Sequence, residues 1–129
     1  MKKIKTLLLI TAFFASAANA KDTIIELEDE SKILGQWKLY AEAAALHKEK
    51  KQVDNVWDFR KGGVLAAVSK DKRMSSSNEV KVKYSIENGI IKKQSQPGRE
   101  KYEDCKVVKL EGKDMIMHCK YLYYFFTKM

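Results

Sequence analysis

Apolar and polar residues alternate along most of the chain after residue 53, and turn-forming residues interrupt the alternation every several positions. This pattern is typical of short antiparallel strands and not of helices, in which apolar residues recur every three or four positions. The stretch EVKVKYSIENGII shows it most clearly, since every second residue from Val80 to Ile86 is apolar or aromatic. Asn88-Gly89 then ends the strand, because this pair tolerates the positive φ angles of a type I′ hairpin turn. The chain is therefore predicted to be mostly β.

The same alternation, with its interruptions, predicts eight strands. They begin near Gly35, Val56, Val64, Val80, Ile90, Glu103, Met115 and Tyr121. Residues 95–101 form a loop, because Pro97 cannot donate to a strand ladder. Short links between consecutive antiparallel strands favour a meander that closes on itself, since closure alone removes the exposed sheet edges. We therefore expect an all-β fold, a small eight-stranded antiparallel up-and-down barrel that side chains fill or one small ligand occupies.

Residues 39–52 carry a conflicting signal. Their sequence, LYAEAAALHKEKKQ, is rich in Ala, Glu, Leu and Lys, which are strong helix formers. Packing against neighbouring strands can override such propensity. We favour a strand from Gly35 to Ala45 and keep a helix as the alternative.

The first twenty residues have the features of a secretory signal peptide. Lysines near the start precede an apolar run from Leu7 to Ala15, and Ala18-Asn19-Ala20 forms an A-x-A cleavage pattern. The apolar run is too short to span a bilayer. We therefore expect cleavage after Ala20, a periplasmic or secreted location, and no integral membrane segment in the mature chain.

Cleavage would remove three of the 25 basic residues and none of the 17 acidic ones, leaving 109 residues with a formal net charge of +5. A chain of that length buries one core, so residues 21–129 are predicted to form one domain. Lysine clusters at 47–51, 69–73 and 91–93 are typical of solvated loops. An anionic surface or a protein partner is the functional alternative, and nucleic acid is not an expected partner of an exported protein.

The chain has two cysteines, Cys105 and Cys119, at the ends of CKVVKLEGKDMIMHC. If the hairpin turns around Gly112, Cys105 faces Cys119, Val107 faces Met117 and Lys109 faces Met115. Directly opposed residues of antiparallel strands lie within the distance that a disulfide accepts. In an oxidising compartment a disulfide is the expected outcome, and the absence of Cys-x-x-Cys spacing argues against a redox pair.

Soft sulfur ligands raise a second possibility for this hairpin. Met115, Met117 and Cys119 alternate along one strand, and sulfur ligands suit Cu(I). However, a disulfide would consume both thiolates, and methionines on a strand face usually fill core space. We therefore expect neither a metal site nor a cofactor.

Catalytic motifs are not apparent. The chain has two histidines, His47 and His118, and neither lies in a frame that pairs a nucleophile with a base. The sequence does not predict an enzyme.

Gly35-x-Trp37 in ILGQWKLY resembles the entry motif of the lipocalin and calycin barrels, and VWDFRKGGVL, YSIENGII and YYFFTK resemble the later strands of small bacterial lipocalin-like secreted domains. The resemblance implies an eight-stranded barrel closed at one end by the tryptophan, with a basic residue of the last strand packed on its ring. Gly35, Trp37 and Lys128 are the positions that match these barrel-closing roles.

A barrel of this kind is expected to bind a small apolar or amphipathic ligand. Alanines at several strand positions leave space, and aromatic residues supply walls. The candidate ligand-binding residues are Trp57, Phe59, Ala66, Val82, Tyr84, Met117 and Phe125. A barrel filled by its own side chains remains open as an alternative, as does a protein-binding module such as a periplasmic inhibitor or immunity protein. A further hypothesis is pairing of barrels through Leu122, Tyr124 and Phe126, which would otherwise be exposed.

Overall fold

The computed structural model describes residues 24–69 and 78–129. The predicted signal peptide, residues 1–20, and its cleavage after Ala20 lie outside these ranges and remain predictions. Within them, no helix combines the length and apolarity needed to cross a bilayer.

Eight antiparallel strands form one closed barrel. Each strand pairs with its neighbours in sequence, and the last pairs with the first. The strands are β1 (Gly35–Ala43), β2 (Lys51–Arg60), β3 (Val64–Ser69), β4 (Asn78–Glu87), β5 (Ile90–Gln94), β6 (Tyr102–Glu111), β7 (Asp114–His118) and β8 (Tyr123–Lys128). A short 3-10 helix, Glu30–Lys32, precedes β1. The predicted all-β, eight-stranded up-and-down barrel is confirmed.

The stretch with high helix propensity forms strands at both of its ends. β1 continues to Ala43, two residues short of the predicted end, and β2 begins at Lys51, five residues before the predicted Val56. Both segments hydrogen-bond to neighbouring strands, and this pairing overrides the local propensity for helix.

A β-bulge at Tyr40 changes which side chains of β1 face the interior. Before the bulge, Leu39 lies opposite the buried Phe126 of β8; after it, Ala41 lies opposite Phe125. An inserted residue shifts the alternation by one position, which moves the following side chains to the other face. Ala41 therefore lies on the outer face of the barrel.

The apolar side chains form two separate clusters, and the bulge adds Ala41 and Ala43 to the outer one. The larger one fills the barrel interior and includes Trp37, Leu39, Trp57, Phe59, Leu65, Tyr84, Ile91, Met115, Met117 and Phe126. The smaller one lies on the outer face and contains Ala41, Ala43, Tyr123 and Phe125, with Val108 and Ile116 packed against it.

The hypothesis that the rings of Tyr124 and Phe126 form an exposed face is wrong. Phe126 is fully buried, and Tyr124 packs against the interior cluster. Their inward orientation follows from pairing with β7, because Phe126 lies opposite Met115 and Tyr124 opposite Met117. These two rings therefore do not form a surface through which two barrels could pair.

The two ends of the barrel differ. At one end, which we call the closed end, residues 24–34 cross the opening: the Ile25 amide donates to the Val107 carbonyl at 2.8 Å and the Leu27 amide to the Gly89 carbonyl at 3.1 Å. Leu27 and Ile33 are buried there. The closed-end turns are residues 61–63, 88–89 and 112–113. The opposite end, the open end, carries the described loops 44–50, 95–101 and 119–122.

Substitution of Gly89 by alanine tests the contact between the hairpin turn at residues 88–89 and the N-terminal segment, residues 24–34. Gly89 and Gly98 both have positive φ, 80° and 75°, so alanine is strained at either position. A Cβ on Gly89 would lie 2.9 Å from the Glu26 Cβ, whereas a Cβ on Gly98 would meet nothing within 4 Å. We expect Gly89→Ala to lower the free energy of unfolding by about 1 kcal/mol more than Gly98→Ala. Equilibrium denaturation measures the difference, and equal costs would contradict the close approach.

Candidate functional site

The three predicted barrel-closing residues lie together at the closed end. Trp37 is almost fully buried, and its indole Nε1–H donates to the Ile33 carbonyl at 2.9 Å. The Lys128 ammonium lies 4.7 Å from the centroid of the Trp37 ring and donates to the Leu34 carbonyl. Gly35 has a φ of 107°, and a Cβ there would lie 2.6 Å from the Lys128 Nζ. This arrangement places a buried aromatic ring and the Lys128 side chain across this end of the barrel.

The inner face at the open end is different, because its apolar side chains stay partly exposed. Val53, Ala67, Val82 and Tyr124 are partly buried residues packed against the interior cluster, and Val80, opposite Ala67 on β4, is 43% exposed. Beneath them Trp57 is 8% exposed, and its ring lies 5.4 Å from that of Tyr124. We call this partly exposed apolar surface of the inner face the cup, with Trp57 as its base.

An ion pair lies inside the barrel next to the cup. The Lys93 ammonium of β5 contacts the Glu103 carboxylate of β6 at 2.8 Å, and the two side chains are only 12% and 21% exposed. The same ammonium lies 5.6 Å from the centroid of the Trp57 ring. Burial of two charges costs desolvation energy, and an apolar pair of similar volume usually stabilises a core at least as well. The pair is therefore a candidate recognition element.

A matching ion pair lies on the outer face of the same two strands. Lys92 and Asp104 are adjacent in sequence to Lys93 and Glu103, and their charged groups lie 2.7 Å apart. Their side chains are 30% and 50% exposed. The hydrogen bond to Asp104 raises the pKa of Lys92. The two pairs differ mainly in the face they occupy, which makes the outer pair a control for the inner one.

Tyr124 adds a hydrogen-bond donor to the cup. Burial raises the pKa of Tyr124 to about 12, and the negative charges of Glu103 and Glu42 act in the same direction. The phenol is therefore protonated at neutral pH, and its O–H is available to donate.

The predicted ligand-binding residues divide into three groups. Trp57 and Val82 lie in the cup. Phe59, Tyr84 and Met117 face the same interior but are buried in the core, at 1%, 5% and 0% exposure. They fill space below the cup, so the barrel is partly filled by its own side chains.

The other two predicted residues do not face the interior, and their assignment to its lining is corrected. Phe125 belongs to the outer cluster, because the bulge in β1 and its partner Ile116 place it on the outer face. Ala66 lies opposite Asp58 and Lys81, whose side chains face outward. Residue type alone, a small alanine and an aromatic ring, did not show which face of its strand each residue occupies.

The predicted disulfide between Cys105 and Cys119 is present, with their Cα atoms 4.1 Å apart. Val107 lies opposite Met117 as predicted. The predicted pairing of Lys109 with Met115 is wrong, because a register shift between Val107 and Lys109 places Lys109 opposite Ile116. The Glu103 carboxylate and both sulfurs lie within 4.8 Å of one another. While the sulfurs are bonded to each other, they offer no thiolate to a soft metal.

A groove on the outer wall has a volume of about 590 Å³ and is lined by Gly62, Gly63, Lys83, Ser85, Lys92 and Tyr102 among others. Several of its polar groups already have partners. The Ser85 hydroxyl donates to the Glu87 carboxylate at 2.9 Å, and Lys92 pairs with Asp104. The Ser85 hydroxyl and the Lys92 ammonium in this groove are therefore already engaged with other side chains of the protein.

Comparison with known proteins supports the barrel architecture. No family model and no curated protein matches the chain. A lipocalin-like protein from Bacteroides uniformis has a similar structure, with a TM-score of 0.63 and 18% identity over 76% of this chain and 99% of that one. An uncharacterised protein from Bacteroides eggerthii has a TM-score of 0.60 and 19% identity over 74% of this chain and 98% of that one. The chain therefore has a lipocalin-like fold.

Proposed function

We propose that this lipocalin-like barrel binds a small apolar or amphipathic molecule in the cup at its open end. The observation that carries the proposal is the contrast between the two ends. Trp37 and the N-terminal segment seal one end, while Val80 and its neighbours on the inner face of the other stay partly exposed. Apolar surface held open above an aromatic base is the usual lining of a small-molecule site.

We also propose that the protein works outside the cytoplasm, in the periplasm or as a secreted protein. The sequence of residues 1–20 supports export. The bond between Cys105 and Cys119 fits an oxidising compartment, in which such bonds persist. The proposed role is binding and not catalysis.

Binding of the uncharged fluorophore phenylnaphthylamine tests the proposal. Ala67 and Val68 are adjacent in β3, but Ala67 faces the cup whereas Val68 lies opposite the exposed Glu79. We expect saturable binding that quenches Trp57 emission, measured against a Trp57→Phe variant. Ala67→Phe fills the cup and should weaken binding by at least about tenfold, while Val68→Phe should leave it unchanged. Native mass spectrometry of the protein recovered from the periplasm should show a bound small molecule.

Two results would contradict this function. Absence of saturable binding in the unmodified protein would exclude the cup as a site for apolar molecules. Equal effects of Ala67→Phe and Val68→Phe would place the binding elsewhere. In either case a protein-binding role, as for an inhibitor or immunity protein, becomes the better interpretation of the same barrel.

A further inference from the structure

Charge is distributed unequally between the two ends of the barrel. The described open-end loops contain five basic and two acidic residues, a net charge of +3. The closed-end turns and residues 24–34 together contain three basic and four acidic residues, a net charge of −1. The net positive charge of the open-end loops attracts anions to this end and repels cations from it.

The cup presents a cation to whatever enters it. A lysine ammonium has three N–H donors, and one of them is directed to Glu103 at 2.8 Å. Lys93 lies against the Trp57 ring, at the base of the cup. Because the Glu103 side chain is 21% exposed, another anion can take its place on this ammonium without displacing any strand.

We propose that the ligand of the cup carries an anionic group and that Lys93 binds this group in place of Glu103. The inference rests on the proposed function and adds the charge class of the ligand. Glu103 holds the Lys93 ammonium beside Trp57 when no ligand is present. The ligand anion then replaces one carboxylate partner with another, and Glu103 turns toward the solvent, to which its side chain is already 21% exposed.

The exchange accounts for the selection of anions by a cup in which the Lys93 ammonium already has a carboxylate partner. An uncharged ligand leaves the Lys93–Glu103 pair intact and gains contact with the apolar surface alone. A cationic ligand would meet the Lys93 ammonium and the basic open-end loops. An anionic ligand gains a charge-assisted hydrogen bond to Lys93, which is stronger than a bond between neutral groups.

Two fluorophores that share the same rings test the inference. Anilinonaphthalenesulfonate is anionic and phenylnaphthylamine is uncharged. We expect the unmodified protein to bind the anionic probe more tightly. Lys93→Met should weaken binding of the anionic probe by about tenfold and leave the uncharged probe within about twofold. Glu103→Gln should strengthen binding of the anionic probe by several-fold, because it removes the competing carboxylate.

The outer pair supplies the controls. Lys92→Met and Asp104→Asn change the same charges on the other face of the same strands, so neither should alter the preference for the anionic probe. Near-ultraviolet circular dichroism checks the packing of each variant, and Glu103→Gln tests the exchange independently if Lys93→Met fails to fold.

The outcomes separate this inference from the proposed function. Failure of the uncharged probe to bind the unmodified protein would overturn both. If the uncharged probe binds and is blocked by Ala67→Phe, but Lys93→Met leaves the anionic probe unaffected, the cup is the site and the role of Lys93 is wrong. Weaker binding of the anionic probe to Glu103→Gln would also overturn the exchange.

Discussion

Replacing Trp37 with alanine is expected to lower the free energy of unfolding by about 3–5 kcal/mol, the usual cost of removing a large buried aromatic side chain. Trp37 is 2% exposed, so the loss of the ring leaves a cavity where the closed end is sealed. The change also orphans the Ile33 carbonyl, which accepts the indole N–H at 2.9 Å, and removes the ring against which the Lys128 ammonium lies. Urea denaturation followed by far-ultraviolet circular dichroism measures the loss.

Two smaller substitutions separate the parts of this effect. Trp37→Phe keeps an aromatic ring in the core but removes the N–H donor, so we expect it to cost less than Trp37→Ala. Lys128→Met keeps the packing of the stem and removes both the hydrogen bond to the Leu34 carbonyl and the charge above the ring, a contact worth about 0.5–1 kcal/mol where it is partly exposed. A Trp37→Ala loss below that of Lys128→Met would contradict a sealing role for the tryptophan.

Local signals in the sequence were sufficient to predict several elements of the fold. Asn88 and Gly89 adopt positive φ, 55° and 80°, as the hairpin turn between β4 and β5 requires. β3 begins at the predicted Val64. These elements are specified by turn residues and by the strand residues that flank them, which are properties of adjacent positions.

Features that depend on a bulge were not predictable in this way. Nothing in the residues of YAEA marks Tyr40 as the inserted position, yet the insertion decides that Ala41 and Ala43 face outward. The same shift pairs the outer face of β1 with Phe125, whereas Phe126 lies in the interior opposite Leu39, before the bulge. Where one residue changes the face of a strand, the inner and outer sets depend on pairing with the neighbouring strands.

The inner ion pair had a partial signal in the sequence. Lys92-Lys93 and Glu103-Asp104 lie on either side of the loop at residues 95–101, and opposite charges are favoured across paired strands. The register of that pair is set by the loop. Its backbone bond from the Ser95 amide to the Lys101 carbonyl, at 2.8 Å, fixes Lys93 opposite Glu103. The sequence showed that opposite charges flank the loop, but it did not show which of these charges face the interior.

Removal of the disulfide is the second large effect we expect. The bond joins residues 14 positions apart, and closing a loop of this size stabilises the folded state by about 3 kcal/mol in the chain-entropy model. Both cysteines are buried in the interior cluster, so the double variant Cys105→Ala/Cys119→Ala avoids placing hydroxyl groups there. We expect its free energy of unfolding to fall by about this amount, measured by denaturation beside the oxidised unmodified protein.

The reduced unmodified protein is the matched control, because it keeps both sulfurs and loses only the cross-link. If the stabilisation arises from the constraint on the unfolded chain, the reduced protein and the double variant should be destabilised by similar amounts. A double variant that stays within about 1 kcal/mol of the oxidised protein would contradict that origin. The cross-link joins β6 to Cys119, the residue that follows β7, beside Glu103, whose carboxylate lies within 4.8 Å of both sulfurs. Reduction should therefore also strengthen binding of the anionic probe, because it loosens the strand that holds the competing carboxylate beside Lys93.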